Sequence, residues 1–405
     1  MPEIKVLSNN FSIHNIPNLR IRLSVMQFIQ YFIWGSWFVT VGTYLLKTLK
    51  FSGSEVGLVY ASPGMAAIVM PWLLGIIADR YLSLQRLLAI LHFIGALLMV
   101  WASTQTHFVS FFPIILMYSF TYQPTFALTS SLCFHHLTDG QTGYPKLRLW
   151  GTTGWIVGGM IVSFLGWEMT KTPLLLSAGA SIILSFYCMT LPDTPPKGSK
   201  EDKHMVYDLI KHKSLLFLMA MAFLITIPTS FYYTFTNSYM TDLGISYPAA
   251  KMSIGQMSEI GVMIIVAFLL RKFGIKKIIF IGFLIWGIRY FLFAIADRHT
   301  EWLVWGGIFF HGFAYCFAGL SVQIFVNTLA APQVRSTAQG IYSFVVNGVG
   351  TMVGSLLAGW IVQYATHGGQ IHWPYVWIFA SVFGFGAALV FWFGRSYLDL
   401  VPSKK

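Results

Sequence analysis

The amino-acid sequence predicts an all-α integral membrane protein with about twelve transmembrane helices in two six-helix halves. Of its 405 residues, 56% are hydrophobic and only 10% are charged, whereas an ordinary soluble domain carries about 25% charged residues. Hydrophobic runs of the roughly 20 residues needed to cross a bilayer core follow one another almost without interruption. The basic residues lie mainly between these runs.

The hydrophobic runs form two sets of six. The first set covers residues 21-47, 55-77, 85-103, 107-130, 147-168 and 173-191, and the second covers 212-238, 249-270, 275-295, 302-328, 335-364 and 373-395. The most densely charged stretch of the chain lies between the two sets. The predicted organisation is therefore a cytoplasmic N-terminal tail at 1-20, an N-terminal six-helix bundle at 21-191, a cytoplasmic hinge loop at 192-211, a C-terminal six-helix bundle at 212-395 and a cytoplasmic tail at 396-405.

The distribution of Lys and Arg predicts the orientation of the chain. If the loops alternate between two sides of a membrane, 20 of the 26 basic residues lie in the tails, the hinge and the even-numbered loops, and five lie on the opposite side. Because cytoplasmic loops are enriched in Lys and Arg, both termini are predicted to be cytoplasmic. The net charge of +12 does not predict nucleic-acid binding, which needs basic residues gathered on one face.

Several other classes of function find little support. Cys133, Cys188 and Cys316 all lie in apolar segments, without the spacing of a disulfide framework or a zinc site. The sequence has no phosphate-binding loop of the kind that an ATP-driven pump uses, and no nucleophile–base pair. We therefore expect neither an enzyme nor a bound cofactor or metal.

The loop after the second span has a similar pattern in both halves. Gly75, Asp79 and Arg80 precede the loop in the first half, and residues 270–277, Leu-Arg-Lys-Phe-Gly-Ile-Lys-Lys, form its counterpart in the second. Orientation by charge explains the basic residues, but not Gly75 and Asp79 at this spacing. The first segment resembles the signature loop of the major facilitator superfamily, although Leu82 stands where a Gly is usual. The resemblance implies a conformational motif at Gly75, Asp79 and Arg80 and a substrate site near the midplane between the halves.

Polar residues inside the predicted spans are candidates for that site, because ionisable groups are costly in a bilayer. Glu259 is the only acidic residue placed well inside a span, and Arg289 lies within span nine. Residues at i, i+3, i+4 and i+7 share one face of a helix. This spacing groups Arg148, Thr152 and Trp155 on span five, Thr226, Ser230, Tyr233 and Asn237 on span seven, Gln256 and Glu259 on span eight, and His311 and Tyr315 on span ten.

Together these faces supply a cation, a carboxylate, an amide, hydroxyls and aromatic rings. The mixture suits a neutral, flat, polyhydroxylated ligand, because a carboxylate accepts paired hydroxyl hydrogens and aromatic rings stack on π-faces, so sugars and nucleosides both fit. The alternative is that each polar group ties helices together, which we favour for Thr226 or His92 alone. Trp34 and Trp37 either face the cavity or pack in the core. The glycines of span eleven are expected to be close-packing points or hinges.

Several stretches together resemble the nucleoside/proton symporter family of the major facilitator superfamily, which includes bacterial nucleoside permeases. They are Trp34-Gly35-Ser36-Trp37, Leu74 through Asp79, Tyr122 with Pro124 and Thr125, Arg148-Leu149-Trp150-Gly151-Thr152, Gln256-Met257-Ser258-Glu259, Phe273-Gly274-Ile275-Lys276, and Arg335 with Ala338-Gln339-Gly340. The resemblance covers nearly the whole chain. It implies a nucleoside pocket formed by Arg148, Thr152, Gln256 and Glu259, in which Trp155 and Tyr315 stack on or wall the base.

The chain departs from the family pattern at four positions. Ser230 and Tyr233 stand where family members carry amide side chains, and His311 stands where they carry a tyrosine, so the base preference does not transfer. Cys316 stands where the family tends to place an Asp linked to proton coupling. Because a buried thiol is a poor proton carrier near neutral pH, Glu259 is the remaining candidate for proton coupling.

The expected function is import of nucleosides across the cytoplasmic (inner) membrane by a monomer, through proton symport with alternating access. Its expected partners are a small-molecule nucleoside and the lipid bilayer, with the proton as coupling ion and without nucleic acid. Three alternatives stay open, which are an uncoupled facilitator, a symporter for a sugar or another small polar metabolite, and a membrane sensor that does not transport.

Overall fold

A computed structural model describes residues 18–80, 82–137, 140–195, 211–330 and 334–400. Within these ranges the chain forms twelve helical rods. The first six are α1 (Leu19–Trp37, continued by Val41–Thr43 and the π-helical turn Tyr44–Thr48), α2 (Gly53–Arg80), α3 (Leu84–Ala102), α4 (Phe108–Tyr122 and Thr125–His136), α5 (Gly140–Phe164) and α6 (Thr172–Thr190).

The second six rods follow the linker. They are α7 (Lys213–Asp242), α8 (Pro248–Phe273), α9 (Ile275–Ile295), α10 (Glu301–Ala314, the π-helical turn Tyr315–Leu320 and Ser321–Leu329), α11 (Arg335–Ser343, the π-helical turn Phe344–Gly350 and Thr351–Tyr364) and α12 (Trp373–Gly394). Two short strands, β1 (Thr366–His367) and β2 (Gln370–Ile371), pair between α11 and α12. Their turn contains Gly368 and Gly369, both with positive φ, as tight hairpins require.

Length and hydropathy identify eight of these rods as able to cross a bilayer, within the ranges described. They are α3 and α6 in the first half and all six rods of the second half. Of the rest, α1 is interrupted by a turn at 38–40 and α4 by Gln123 and Pro124. The predicted class, a predominantly helical membrane protein, is therefore confirmed, whereas twelve membrane crossings stay a prediction.

Helix packing repeats between the two halves. Within the first half, α1 packs against α5 and α6, α3 against α4 and α6, and α2 against α4. Adding six to each helix number gives pairs that also pack, α7 with α11 and α12, α9 with α10 and α12, and α8 with α10. The repeat that the loops after spans two and eight predict is thus present in the tertiary structure. The exact bounds 21-191 and 212-395 stay predictions.

The fifth span is placed differently from its prediction of 147-168. The α5 helix begins at Gly140 and ends at Phe164, because Gly166 adopts a φ of 69° and turns the chain. The backbone N–H of Trp167 then donates to the carbonyl of Val162 at 2.9 Å, which closes the helix end. Glu168 consequently lies in the loop between α5 and α6, outside the span in which the hydropathy pattern placed it.

Glycines bring the two halves into close contact along α2 and α11. A Cβ on Gly57 would lie 2.7 Å from the Cα of Gly359, and one on Gly64 would lie 2.6 Å from the backbone nitrogen of Met352. The close-packing role predicted for glycines of span eleven is therefore seen at Gly359. Gly340, on the same helix, has open space around its Cα.

We call the end of the bundle that carries loops 49–52, 165–171 and 243–247 the far end, and the end that carries residues 191–195 and 211–212 the linker end. Hydrogen bonds join the halves at the far end. Thr43 Oγ1 donates to Asn237 Oδ1 at 2.5 Å, and Lys47 forms an ion pair of 2.6 Å with Asp242. In the described ranges, the hydrogen bonds between the halves lie toward this end.

Candidate functional site

The α5 and α8 helices, one from each half, pack against each other and carry four of the predicted site residues. A Cβ on Gly159 would lie 3.9 Å from Ser253 Oγ, which fixes the register of the two antiparallel helices. Seven residues of helix rise about 10 Å, so Thr152 lies at the depth of Gln256 and Glu259. The structure therefore brings the two predicted faces to the same level between the halves.

Glu259 and Arg148 carry opposite charges across this interface and interact electrostatically. The guanidinium carbon of Arg148 lies 3.8 Å above the ring centroid of Tyr31. Its Nη1 is buried and has no hydrogen-bond partner in the described part of the chain. The Glu259 carboxylate likewise receives no hydrogen bond from any described residue, so both groups keep free bonding capacity between the two halves.

Aromatic rings from both halves lie close together near Thr152 and Glu259. Trp155 lies 6.4 Å from Tyr233, with their planes at 85°, and 6.4 Å from Trp34. Phe38 lies 6.2 Å from Tyr233. Trp34 thus belongs to the aromatic group around the predicted site, whereas Trp37 is only 1% exposed and packs edge-on against Tyr118.

His311 and Tyr315 extend this aromatic surface in the second half. His311 is fully buried, its ring lies 6.1 Å from that of Tyr315, and its Nε2 is 3.4 Å from the Tyr233 hydroxyl. Tyr315 is 37% exposed and interacts electrostatically with Glu259. One connected group is therefore formed by Tyr233 of α7, Glu259 of α8, and His311 and Tyr315 of α10. The spacing in the sequence assigns these residues to three separate helix faces.

Ser230 is placed apart from this group. Its hydroxyl donates to the carbonyl of Thr226 at 3.0 Å, and its Oγ would lie 2.5 Å from a Cβ on Gly354 of α11. The face predicted on span seven is divided, because Thr226 and Ser230 pack against α11 while Tyr233 points toward Trp155 and His311. A substrate-binding role for Ser230 stays a prediction, and its packing gives that role no support.

Two further predicted features are only partly located. Cys316 is buried behind Glu259, with its Sγ 3.7 Å from the Glu259 carbonyl oxygen. Gly75, Asp79 and Arg80 lie in the last two turns of α2, and their side chains are outside the described part of the structure. The conformational motif therefore stays a prediction.

Arg289 is among the ionisable residues that the sequence places within a span, but the sequence gives it no specific role. This residue of α9 is fully buried, and its Nη1 lies 2.7 Å from His311 Nδ1. Its guanidinium carbon is 4.3 Å from the ring centroid of Tyr232 and 4.9 Å from that of Trp286. The signal was a basic residue in the middle of a hydrophobic run, which by itself marks a functional candidate.

Glu168 is a second functional candidate, which the sequence did not single out because the predicted span 147-168 included it at its end. It is 8% exposed, and it accepts hydrogen bonds from Ser163 Oγ at 2.6 Å and from the backbone N–H of Ala249 at 2.8 Å. Burial raises the pKa of its carboxyl, although the hydrogen bonds from Ser163 and Ala249 oppose that effect. Because Ala249 lies in the first turn of α8, Glu168 joins the two halves at the far end.

Chemically, the group between the halves can recognise a flat polar molecule. The open carboxylate of Glu259 can accept two hydroxyl hydrogens, the amide of Gln256 can both donate and accept, and the buried Nη1 of Arg148 can donate. The rings of Trp155 and Tyr315 offer faces for stacking. These groups come from both halves, so a bound molecule would contact both at once.

Several known transporters are similar to this chain over most of its length. The chain is 38% identical to the putative nucleoside transporter YegT of Escherichia coli, over 89% of this chain and 90% of that protein. It is 33% identical to the xanthosine permease of the same organism, over 94% of this chain and 96% of that protein. A crystal structure of the nucleoside transporter NupG superposes with a TM-score of 0.86 at 30% identity, covering 95% of this chain and 100% of that one. Residues 17–398 match the sequence model of the nucleoside H+ symporter family, and the chain therefore belongs to that family of transporters, with a major facilitator fold.

Proposed function

We propose that this protein imports nucleosides by proton symport. The observation that carries the proposal is the open carboxylate of Glu259, which interacts electrostatically with Arg148 of the other half and with Tyr233 and Tyr315. A nucleoside offers paired ribose hydroxyls, a polar base edge and two π-faces, which match these groups in kind. The family description and the names of the relatives point to the same class of molecule.

In the proposed pocket, Glu259 and Gln256 anchor ribose hydroxyls or base amide groups, and Arg148 and Thr152 donate to oxygens of the ligand. Trp155 and Tyr315 stack on the base from opposite halves. Tyr233 and His311 close the side of the pocket formed by the second half.

The proton is proposed to bind Glu259. The carboxylate is stabilised by Arg148 when the two halves bring the charges close, and it is less stable where the cavity excludes water. Proton occupancy therefore changes as the halves move. Cys316 lies directly behind Glu259, and its thiol is a poor proton carrier near neutral pH, so Glu259 carries this role without a second acid beside it.

Alternating access is proposed to proceed by rocking of the two bundles, 21-191 and 212-395, around the pocket. With the linker end and both termini cytoplasmic in the inner membrane, the far end is the periplasmic side. The contacts between Lys47 and Asp242 and between Glu168 and Ala249 then close the periplasmic entrance. A monomer suffices for this mechanism, and the coupling ion is the only cofactor that it needs.

Uptake into proteoliposomes tests the proposal. Labelled uridine, adenosine and a panel of sugars would be supplied with an inward proton gradient, with and without a proton uncoupler. Accumulation of at least one nucleoside above its external concentration, abolished by the uncoupler, is the expected result. Accumulation of a sugar and no nucleoside would overturn the cargo, and a panel of nucleosides in thermal-shift assays would show the same difference without transport.

An uncoupled facilitator is the second candidate, because Cys316 occupies the position at which the resemblance implies an acid. Such a protein would equilibrate nucleosides across the vesicle membrane without concentrating them. Its rate of entry would be the same with and without the uncoupler, so the same experiment distinguishes the two mechanisms.

A further inference from the structure

Arg289 forms the centre of a buried group on the side of the pocket away from Arg148. Its Nη1 lies 2.7 Å from His311 Nδ1, and His311 Nε2 lies 3.4 Å from the Tyr233 hydroxyl. We propose that Arg289 is a positioning residue that fixes His311 as the neutral tautomer with its hydrogen on Nε2, and thereby sets the direction of the Tyr233 hydroxyl. The effect of the Tyr233 hydroxyl on ligand binding rests on the proposed nucleoside pocket, whereas the tautomer of His311 does not.

The tautomer follows from the donors and acceptors of the two side chains. A guanidinium is always protonated and carries only donors, so His311 Nδ1 must accept. A neutral imidazole with an acceptor at Nδ1 carries its hydrogen on Nε2. A doubly protonated ring would place a hydrogen on Nδ1 against the N–H of Arg289. The geometry therefore excludes imidazolium as long as this contact exists.

The direction of the hydrogen bond to Tyr233 follows next. Because His311 Nε2 is a donor, the Tyr233 oxygen must accept from it, and the hydroxyl hydrogen of Tyr233 is left to point elsewhere. Tyr233 interacts electrostatically with Glu259 and lies 6.4 Å from Trp155. The hydroxyl hydrogen is thus free to be donated to a group other than His311, such as an oxygen of the bound ligand.

Arg289 is suited to this task because no carboxylate in the described part of the chain forms an ion pair with it. The rings of Tyr232, Trp286 and Tyr290 surround its guanidinium carbon at 4.3, 4.9 and 5.2 Å, and such rings stabilise a desolvated cation. Its Nε and Nη2 find no hydrogen-bond acceptor among the described residues. The His311 nitrogen is therefore the acceptor that the structure offers to this cation.

Nitrogen NMR of protein labelled with ¹⁵N-histidine tests the tautomer directly, with His311 assigned by its loss in His311→Gln. The wild-type protein should show the neutral Nε2–H pattern at His311, unchanged between about pH 5 and pH 8. Arg289→Met, which keeps an unbranched side chain and removes every donor, should remove the preference for one neutral tautomer, so that an Nδ1–H pattern appears beside the Nε2–H pattern. Arg289→Lys, which keeps a cationic donor, should restore the wild-type pattern. A charged ring or an Nδ1–H pattern in the wild-type protein at neutral pH would overturn the proposal.

Uptake gives the second measurement. Arg289→Met should raise KM for the transported nucleoside by roughly tenfold, the effect of losing one oriented hydrogen bond, with the maximal rate within about twofold of wild type and with recovery in Arg289→Lys. An unchanged KM in a folded Arg289→Met protein whose His311 shows the Nδ1–H pattern would overturn the effect on the pocket. If Arg289→Met fails to fold, the wild-type NMR pattern still decides the tautomer. If no nucleoside is transported by the wild type, the proposed function fails while the tautomer result stands.

Discussion

Two carboxylates near the contact between α5 and α8, those of Glu168 and Glu259, differ in the hydrogen bonds that they receive. At the far end, Glu168 receives hydrogen bonds from Ser163 and from the backbone of Ala249. About two to three turns further along α8, Glu259 receives no hydrogen bond from the described residues. The first carboxylate is committed to contacts within the protein, and the second is left open beside a cation.

The difference teaches how one interface can both bind a ligand and change conformation. A buried acceptor that the protein satisfies holds two elements together, because leaving it unsatisfied costs free energy. An acceptor left open at the interface is available to a ligand or a proton. Changes at Glu259 should therefore alter transport far more than folding, and changes at the far end should alter the balance between conformations.

The largest effect is expected for Glu259→Gln. Glutamine keeps the size of the side chain but cannot ionise, and the lost charged acceptor corresponds to roughly 10- to 100-fold in affinity. We expect concentrative uptake to be abolished while the protein remains folded. Glu301→Gln, which changes an acid paired with Lys251 at the far end, is the matched control and should transport normally. Uptake against a gradient in Glu259→Gln would show that the proton does not bind there.

The next effect is expected where α2 and α11 touch. In Gly57→Val, the new side chain would meet the Cα of Gly359 and the carbonyl of Ser355, each 2.7 Å from the Cβ position. Overpacking of this kind costs about 1 to 3 kcal/mol, so the population of the conformer closed at the far end, relative to the open one, should fall by roughly 5- to 150-fold. The exposed Gly179, which has open space at its Cβ position, provides the control Gly179→Val.

Distances between spin labels at Lys171 and His299, in far-end loops of opposite halves, would measure this change. The distance should increase in Gly57→Val and stay at the wild-type value in Gly179→Val. An unchanged distance in Gly57→Val would show that the glycine contact does not determine closure.

A smaller, pH-dependent effect is expected at Glu168. Burial at the closed far end raises the pKa of its carboxyl, whereas an open far end would expose the group to water and return its pKa to the ordinary value. The closed conformer therefore binds the proton more tightly, so acidification through the window between the two pKa values should favour closure. The same label pair, followed from neutral to acidic pH, should shift toward the short distance in wild type. Glu168→Gln should lose this shift, and a shift of equal size in that variant would contradict the assignment.

The smallest effect is expected for the ion pair between Lys47 and Asp242. Its side chains are 25% and 31% exposed, and exposed pairs contribute about 0.2 to 1 kcal/mol. A double-mutant cycle with Lys47→Met and Asp242→Asn, read from the far-end distance distribution, should give a coupling energy in that range. A coupling above about 2 kcal/mol would rank this pair with the glycine contact.

Much of the fold could be predicted from the sequence, because hydrophobic length and charge distribution are properties of each segment by itself. The depth match of Arg148, Thr152, Gln256 and Glu259 could also be anticipated, since helical spacing defines each face and the resemblance pairs the faces. The end of α5 was missed because Gly166, rather than a change in hydropathy, terminates the helix.

The tertiary contacts of Ser230 and Arg289 could not be predicted from hydropathy or helical spacing. Helical spacing shows that Ser230 and Tyr233 are near one another on α7. It does not show that Ser230 packs against Gly354 of α11 instead of facing the pocket. Arg289 meets His311 only because α9 packs against α10. Which helices are neighbours is a property of the tertiary structure, and a single sequence does not contain it in its periodicity.

The π-helical turns at Tyr315–Leu320 and Phe344–Gly350 have a consequence for the phase of two helices. A wide turn takes in about one additional residue, and each residue of an α-helix turns the chain by about 100°. Side chains on the two sides of such a turn are therefore offset in azimuth from the pattern of an unbroken helix. Removing one residue from 344–350 would rotate Arg335–Ser343 relative to Thr351–Tyr364 by about a quarter of a circle. Each side chain of Arg335–Ser343 would then meet a different neighbour, although the sequence of that segment would be unchanged.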